Sequence, residues 1–597
     1  MPLAMEERKV TMIRVETRRE RGVERSWLLI SVEAACYIGI LAVAAALRFG
    51  SLGRWPLSQG EAAQAWGAWQ LLHGAGPSSL DYAPLLFNLN LLNLFAFGGS
   101  DAIVRFWPAL VGTLLPLLPY FLRDRLGRVG ALVAALLLAI SPTLVYFSRS
   151  LDGHILAALS ALALVVAISS YLAERRPAAV GWGATALAAG LLSEYSFYTF
   201  LLALALWAAW AAWRGRADAE SPWAEVRGAW NELVADQAWL RVGGAIVGAA
   251  VALVASALLL NPGGWQATLN VLGRWFGQFA ASGDGTNLSY YARVLVAYET
   301  LPLLVGLVGL GLGLRRQDWL GVLLTIWFVL ALVVHSVAGS RPSGAVVILV
   351  LPLILLAGRA VENLVATIRA SEIDAQGWLF LGLGAVLFAY LYLQLVAFTF
   401  AGEKAYQTLA IVSVGVLVVC FAAFWYWMGA TSSLSVGAVT FLMLLLALSV
   451  HTTWQLNLYR GRDARELVVR RTTSVDILNL APFLEDLSSR WTRAPHVMAV
   501  LIEEDLQPVV SWYMRDFRDM RFTNAMPDAP QELAVIAMAQ EGREGPGQYV
   551  AQRFRLYESA QTAGLGWGDW AKWYLRRYEI GSLESVKIEV WVKPQPQ

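Results

Sequence analysis

Charge is what this chain has least of. Only 15% of its 597 residues are Asp, Glu, Lys or Arg, against about 25% in soluble globular domains. The formal net charge is +2, too near neutral to mark a nucleic-acid binder. Cysteine is nearly absent. Cys36 and Cys420 each lie inside an apolar run, where they read as small core residues and leave the redox compartment open. Nor does the N-terminal stretch read as a cleavable leader. The first 26 residues, "MPLAMEERKVTMIRVETRRERGVERS", carry both signs of charge, and the apolar run after them exceeds the roughly 7–15 residues of a signal-peptide core. That run, 27–48, is read as a retained first helix.

Hydrophobic residues are abundant, at 57%, and the mean hydropathy is +0.53. Runs able to cross a bilayer fall at 27–48, 102–122, 129–147, 154–173, 178–193, 195–213, 241–260, 298–314, 319–337, 343–358, 377–400, 406–428 and 433–453. By a criterion of roughly 20 residues, loosened for short or tilted members, they amount to about 13 transmembrane helices. The run "PLLFNLNLLNLFAF" at 84–97 is too short and suits an interfacial or re-entrant helix. Many of the 26 tryptophans cluster near the ends of the runs, as an interfacial belt requires.

With the basic N-terminus in the cytoplasm, the Arg-bearing loops 123–128, 174–176, 214–237, 315–318 and 359–374 all fall inside. Parity then puts loops 49–101 and 261–297, and everything after 453, outside. The expected organisation is a cytoplasmic tail 1–26, a transmembrane domain 27–453 and an extracytoplasmic domain 454–597 in a cytoplasmic (inner) membrane. In the last region charge, Pro and Gly return. "HVMAVLIEEDLQPVVSWYMRDF" reads as a strand and an amphipathic helix with Leu506, Val509, Val510, Tyr513 and Phe517 at helical spacing. "ELAVIAMA" and "SVKIEVWVKP" read as further strands and "EGREGPGQ" at 541–548 as a loop. A small α/β domain over the outer mouth of the helices is expected. No P-loop, nucleophile elbow or metal-ligand spacing occurs in it.

Ionisable residues at a bilayer boundary are costly unless paired or facing water. Glu61, Asp81, Arg105, Arg149, Asp152, His154, Glu194 and Arg341 all gather on the outside face, which points to an aqueous cavity there. Ordinary headgroup anchoring is the bland alternative for each.

The segment "SDAIVRFWPALVGTLLPLLPYFLRDRLGRVGALVAALLLAISPTLVYFSRSLDGHI" at 100–155 resembles the second to fourth membrane helices of GT-C glycosyltransferases. It is most similar to the protein-mannosyltransferase and aminoarabinose-transferase (glycosyltransferase 39-like) superfamily. "SSLDYAPLLFNLNLLN" resembles a prokaryotic flippase-activity-associated branch. The resemblance implies a GT-C type polytopic α-helical fold. It further implies transfer of a sugar from a polyprenyl-phosphate carrier to an extracytoplasmic acceptor. In that superfamily the first outer loop carries an Asp-Glu pair followed by Ala; the matching residues are Gly60, Glu61 and Ala62. Glu61 is therefore the expected catalytic base, with a structural charge at a helix start as its alternative. Loss of the Asp weakens any site for a divalent metal (Mg or Mn), since hard cations want several oxygen ligands.

Guanidinium groups suit a lipid phosphate. Arg341 resembles the basic residue before a late helix of these enzymes and is the first expected phosphate ligand; Arg105 and Arg149 follow, Arg105 with Asp101 or Glu61 as alternative partners. Asp81, Asp152, His154 and Glu194 are candidates for a second acid or for substrate contact, and the outer loop 279–291 for a lid. The competing functions are a non-catalytic relative that binds lipid-linked sugars and assists their flipping, favoured by the missing Asp, and a transporter, disfavoured by the lack of an internal repeat.

Overall fold

The structure, a computed structural model, describes residues 31–217, 222–281, 287–371, 375–401, 403–527, 530–540, 546–547, 549–561, 566–576 and 581–594. The tail 1–26 and most of the loop at 541–548 lie outside them. Among the described residues ten helices are long and apolar enough to cross a membrane, or twelve if each of two bent pairs counts as one span. The remaining expected run, 178–193, forms a shorter helix of 15 residues, Pro177–Leu191. The chain is a multi-pass helical membrane protein.

At the centre stands Val346–Ser371, preceded by a single 3-10 turn, and its most apolar window is 94% buried. Two helices reach it through glycine. A Cβ on Gly309 would sit 2.1 Å from the Leu356 carbonyl oxygen, and one on Gly130 would sit 2.8 Å from that of Gly358. In lipid, where apolar contact alone does not drive helices together, such close backbone approach is the main packing device.

Both bent pairs have identifiable causes. Arg128–Ile140 and Pro142–Ser148 meet at 55°, because Pro142 has no N–H for the carbonyl of Leu138 and its ring blocks a continuous turn. Arg48 fills the gap: its Nη2 donates to Leu138 O at 2.9 Å and its Nη1 to Ala139 O at 2.9 Å. Thr453 Oγ1 donates to Ile140 O and Asn457 Nδ2 to Pro142 O at 3.2 Å. On the other side of the break the Glu299 carboxylate accepts from Ser141 Oγ, Thr143 N and Thr143 Oγ1. A guanidinium thus caps the carbonyl end of one half-helix and a carboxyl group the N–H end of the next. Glu299 itself occupies the second break, between Tyr290–Tyr298 and Thr300–Arg316, bent at 107°.

After the last span comes a six-stranded sheet of order β1-β5-β6-β4-β2-β3. The strands are β1 (Arg471–Thr473), β2 (Val500–Glu503), β3 (Met520–Thr523), β4 (Ala534–Met538), β5 (Val550–Gln561) and β6 (Ser582–Val592). β2 runs parallel to β3 and β4; the other pairings are antiparallel. Val500, Ile502, Ile536 and Val590 face a core shared with Leu484, Val509 and Trp512. That core continues without interruption into Leu57, Ala62, Leu86 and Phe87 of the first loop. Asp101 fastens the junction, accepting from Trp512 Nε1 at 2.8 Å and Tyr513 Oη at 2.9 Å.

Candidate functional site

Helix Gln59–Leu72 opens with a capping box. Ser58 N donates to Glu61 Oε2 at 2.8 Å, while Glu61 N donates to Ser58 Oγ at 3.4 Å. The stretch "SQGE" carries this signature in the sequence, and Glu61 takes the helix-start position given as its alternative role. Arg105 then grips the same carboxylate with both arms, Nε to Oε1 at 2.7 Å and Nη2 to Oε2 at 3.0 Å. Arg462 Nη2 adds a third contact to Oε2 at 2.9 Å, and Leu151 N donates to Oε1 at 2.9 Å. Glu61 is 4% exposed. Burial would push its proton affinity up, but Arg105 and Arg462 outweigh it and hold the carboxyl far below the usual carboxylate range.

Arg105, also buried, directs its remaining donors to Leu52 O, Trp55 O and Pro56 O. Arg149 donates to Leu47 O at 2.7 Å, Arg48 O at 3.2 Å and Ser51 O at 3.4 Å. The two guanidiniums therefore tie down the turn between the first span, Val32–Phe49, and helix Gln59–Leu72. With Arg462 and Tyr146 they border a small cavity of about 30 Å³.

A second group of ionisable residues lies beyond Leu151. Asp152 and the His154 ring Nδ1 are directly hydrogen-bonded, and the Asp152 carboxylate also accepts from His154 N at 3.1 Å. Burial raises the proton affinity of Asp152, yet the imidazole beside it has the larger effect and its pKa falls below the ordinary value. Glu194, in the turn between Pro177–Leu191 and Ser196–Ala217, accepts from Tyr195 N at 3.0 Å. Ligand atoms of Asp152, His154 and Glu194 all lie within 4.8 Å of one another, a grouping able to hold a metal ion. The Asp152 side chain is 30% exposed, so water and substrate can reach it as they cannot reach Glu61.

Arg274 spans this group, with Nε 3.2 Å from Asp81 and Nη2 3.7 Å from Glu194. It comes from the amphipathic helix Gly264–Ala280, whose Trp265, Leu269, Leu272 and Phe276 face outward. Desolvation works against the Arg274 charge, and the two carboxylates more than restore it. Arg341 Nε donates to Ser336 O at 2.9 Å. The turn that follows it brings Gly344 against the His154 ring, where a Cβ would lie 2.5 Å from Cε1.

The expected residues thus divide into two adjoining sets, Glu61 with Arg105 and Arg149, and Asp81, Asp152, His154 and Glu194 with the Arg341 turn nearby. Arg274 and Arg462 belong to the site and were not expected. Arg274 was a lone cation on an apolar-faced helix, and Arg462 stood in the basic stretch "YRGRDAREL" after the last span. Of the loop 279–291, residues 282–286 lie outside the described structure.

The membrane part carries the fold of the GT-C glycosyltransferases, of the protein-mannosyltransferase and aminoarabinose-transferase type. ArnT from Cupriavidus metallidurans bound to undecaprenyl phosphate superposes with a TM-score of 0.53 at 15% identity, over 82% of this chain and 86% of that one. Its apo state gives a TM-score of 0.50 at 16% identity over the same shares. The archaeal oligosaccharyltransferase AglB from Archaeoglobus fulgidus, in complex with an inhibitory peptide and a dolichol-phosphate, aligns at 13% identity and a TM-score of 0.44. That alignment covers 83% of this chain and 65% of that one. Residues 83–235 match the family of dolichyl-phosphate-mannose-protein mannosyltransferases. No protein of curated function matches the chain significantly.

Proposed function

We propose that this protein is a membrane glycosyltransferase that moves a sugar from a polyprenyl-phosphate carrier to an acceptor at the membrane face bearing the sheet domain. The observation that carries the reading is the partly open carboxylate of Asp152, oriented by His154 and overlooked by Arg274, on a GT-C fold. An acceptor hydroxyl within about 2.6–3.2 Å of Asp152 would give up its proton there. Its oxygen would bond to the sugar's anomeric carbon as the bond from that carbon to the phosphate oxygen breaks. Asp152 suits this role better than Glu61, whose two oxygens already accept from five donors. Glu61 enters instead as the anchor that fixes Leu151, and so Asp152 behind it.

For the leaving phosphate, Arg274 is the better placed cation, because Arg105 and Arg149 direct their donors into backbone carbonyls. Arg341 would approach from the turn beside His154. Asp152, His154 and Glu194 are also the residues that would hold a divalent cation, and the His154 Nε2, buried and without a hydrogen-bond partner, fits that role. An imidazole among the donors favours Mn or Zn over Mg. A bound cation would supply charge for the departing phosphate. The Arg-bearing loops 123–128, 174–176 and 315–318 lie at the end of the bundle away from the site, which supports a cytoplasmic N-terminus and an extracytoplasmic site.

Gly60 favours a second reading, a relative that binds lipid-linked sugars without turning them over. Incubating the protein in nanodiscs with a panel of polyprenyl-phosphate sugars, with and without Mn²⁺, Zn²⁺ or Mg²⁺, separates the two. Donor consumption that Asp152→Asn abolishes, at an unchanged unfolding temperature, supports transfer. Donor binding without consumption supports the second reading.

A further inference from the structure

At the end of the bundle opposite the candidate site lies a cavity of about 1030 Å³. It is an open groove bordered by His154–Glu174, Pro177–Leu191, Ser196–Ala217, Pro222–Ala235 and Gln237–Ala255. A groove of this size at the lipid-facing surface exceeds the packing gaps usual between close-packed helices. Apolar side chains such as Leu164, Leu204, Trp207 and Val247 dominate the lining, which gives water too few partners. The cavity reaches the lipid-facing surface between Ala209 and Ala212 on one helix and Gly244 and Gly248 on another, all four exposed.

Its depth and polarity identify the occupant. Along Ser196–Ala217 the cavity runs from Leu201 to Ala212, a rise of about 16 Å, which is half of a hydrocarbon core about 30 Å thick. Exposed Trp182, Trp210, Trp213, Trp230 and Trp239 mark the bilayer boundary at this end. Helix Pro222–Ala235 lies at that level, and its Arg227, with Tyr171, supplies the polar groups at the mouth. A one-leaflet depth with a cation at headgroup level fits an amphiphile inserted from this side.

We infer that the cavity is a binding site for an anionic glycerophospholipid of the leaflet opposite the candidate site, acyl chains inside and phosphate at Arg227. A polyprenyl carrier is the poorer fit, because its phosphate belongs at the other end of the bundle and its chain exceeds one leaflet. The inference does not depend on the proposed transfer activity.

The test is native mass spectrometry of the whole protein released from nanodiscs of equal parts phosphatidylglycerol and phosphatidylcholine with added undecaprenyl phosphate. Wild type is expected to retain one phosphatidylglycerol. A Cβ at Gly244 or Gly248 would meet nothing within 4 Å, and leucine is the better helix former. Gly244→Leu/Gly248→Leu should therefore abolish the adduct without lowering the unfolding temperature. Ala212→Phe fills the space from the facing helix should the double variant not fold. Arg227→Gln should keep the adduct but reduce its preference for phosphatidylglycerol by about fivefold. Wild type without an adduct, an adduct that survives filling, or retained undecaprenyl phosphate lost on filling would each overturn the assignment.

Discussion

Glu299 Oε1 stands 2.6 Å from Thr143 Oγ1 and 3.0 Å from Thr143 N, so the break in one membrane helix is capped by a residue at the break in another. Neither kink can straighten without uncovering the other's polar groups. Such groups have no water to turn to at bilayer depth, and each left bare is costly. Glu299→Ala should destabilise the protein by about 2 kcal/mol, in line with leaving the buried Ser141 and Thr143 donors without an acceptor. Glu299→Gln, which keeps an acceptor, should cost less. Thermal unfolding in detergent of the two variants, compared with wild type, provides the check.

Glu61 gives a prediction with a defined pH dependence. Its carboxyl titrates near 4.5 in the unfolded chain and far lower in the folded one, because Arg105 and Arg462 favour its charge. A group depressed in this way contributes fully above its unfolded value and loses that contribution as pH falls through the folded value. Glu61→Gln leaves Arg105 buried beside a neutral partner, and about 3 kcal/mol is expected from breaking a buried pair. The difference in stability from wild type should stay constant between pH 7 and pH 5 and shrink only below about 4.5. A difference already closing at pH 6 would contradict the assignment.

The arginines should separate by type of defect. Arg274→Gln is expected to reduce sugar transfer at least about tenfold, since charge-assisted contacts to phosphate contribute some 1.5–3 kcal/mol, with little change in unfolding temperature. Arg149→Gln should do the reverse, because its donors close the end of the first span. Paired assays of donor turnover and thermal unfolding on both variants distinguish them.

Gly60 tests where a metal would bind. A Cβ there meets nothing within 4 Å, and an acid in the first turn of a helix interacts well with its dipole. Gly60→Asp should fold at least as stably as wild type. Because the residues able to hold a metal are Asp152, His154 and Glu194, it should leave the effect of added Mn²⁺ on donor consumption as in wild type, measured as a metal titration of the turnover rate. A stronger metal response than wild type would bring the start of helix Gln59–Leu72 into the metal site.

Much of the fold was written in hydropathy. Most runs from 27–48 to 433–453 emerge as helices within about five residues, since a stretch that must bury every peptide group in lipid has few alternatives. That at 343–358 continues to Ser371, into the stretch 359–374 expected as a loop. What one-dimensional reading could not supply was who faces whom. Glu61 was one of two partners offered for Arg105, and the pair forms, yet only the folded loop brings five donors onto one carboxylate. Arg462, 401 positions beyond Glu61, belongs to a stretch that in sequence is merely a basic boundary. Asp152 and His154 were grouped by adjacency, whereas Arg274 needed Gly264–Ala280 to lie across them. The kink at Pro142 left a plain signal; its capping by Arg48 and Glu299 left none.

The bond between Asp101 and Trp512 crosses 411 positions. During synthesis the early loop emerges long before the segment that covers it exists. Until the ribosome has delivered nearly the whole polypeptide, the apolar side of that loop has no native neighbour and depends on lipid or a chaperone for shelter. Nascent chains arrested before Trp512 should therefore remain open to protease in the first loop, and maturation of the site becomes one of the last events in the making of this protein.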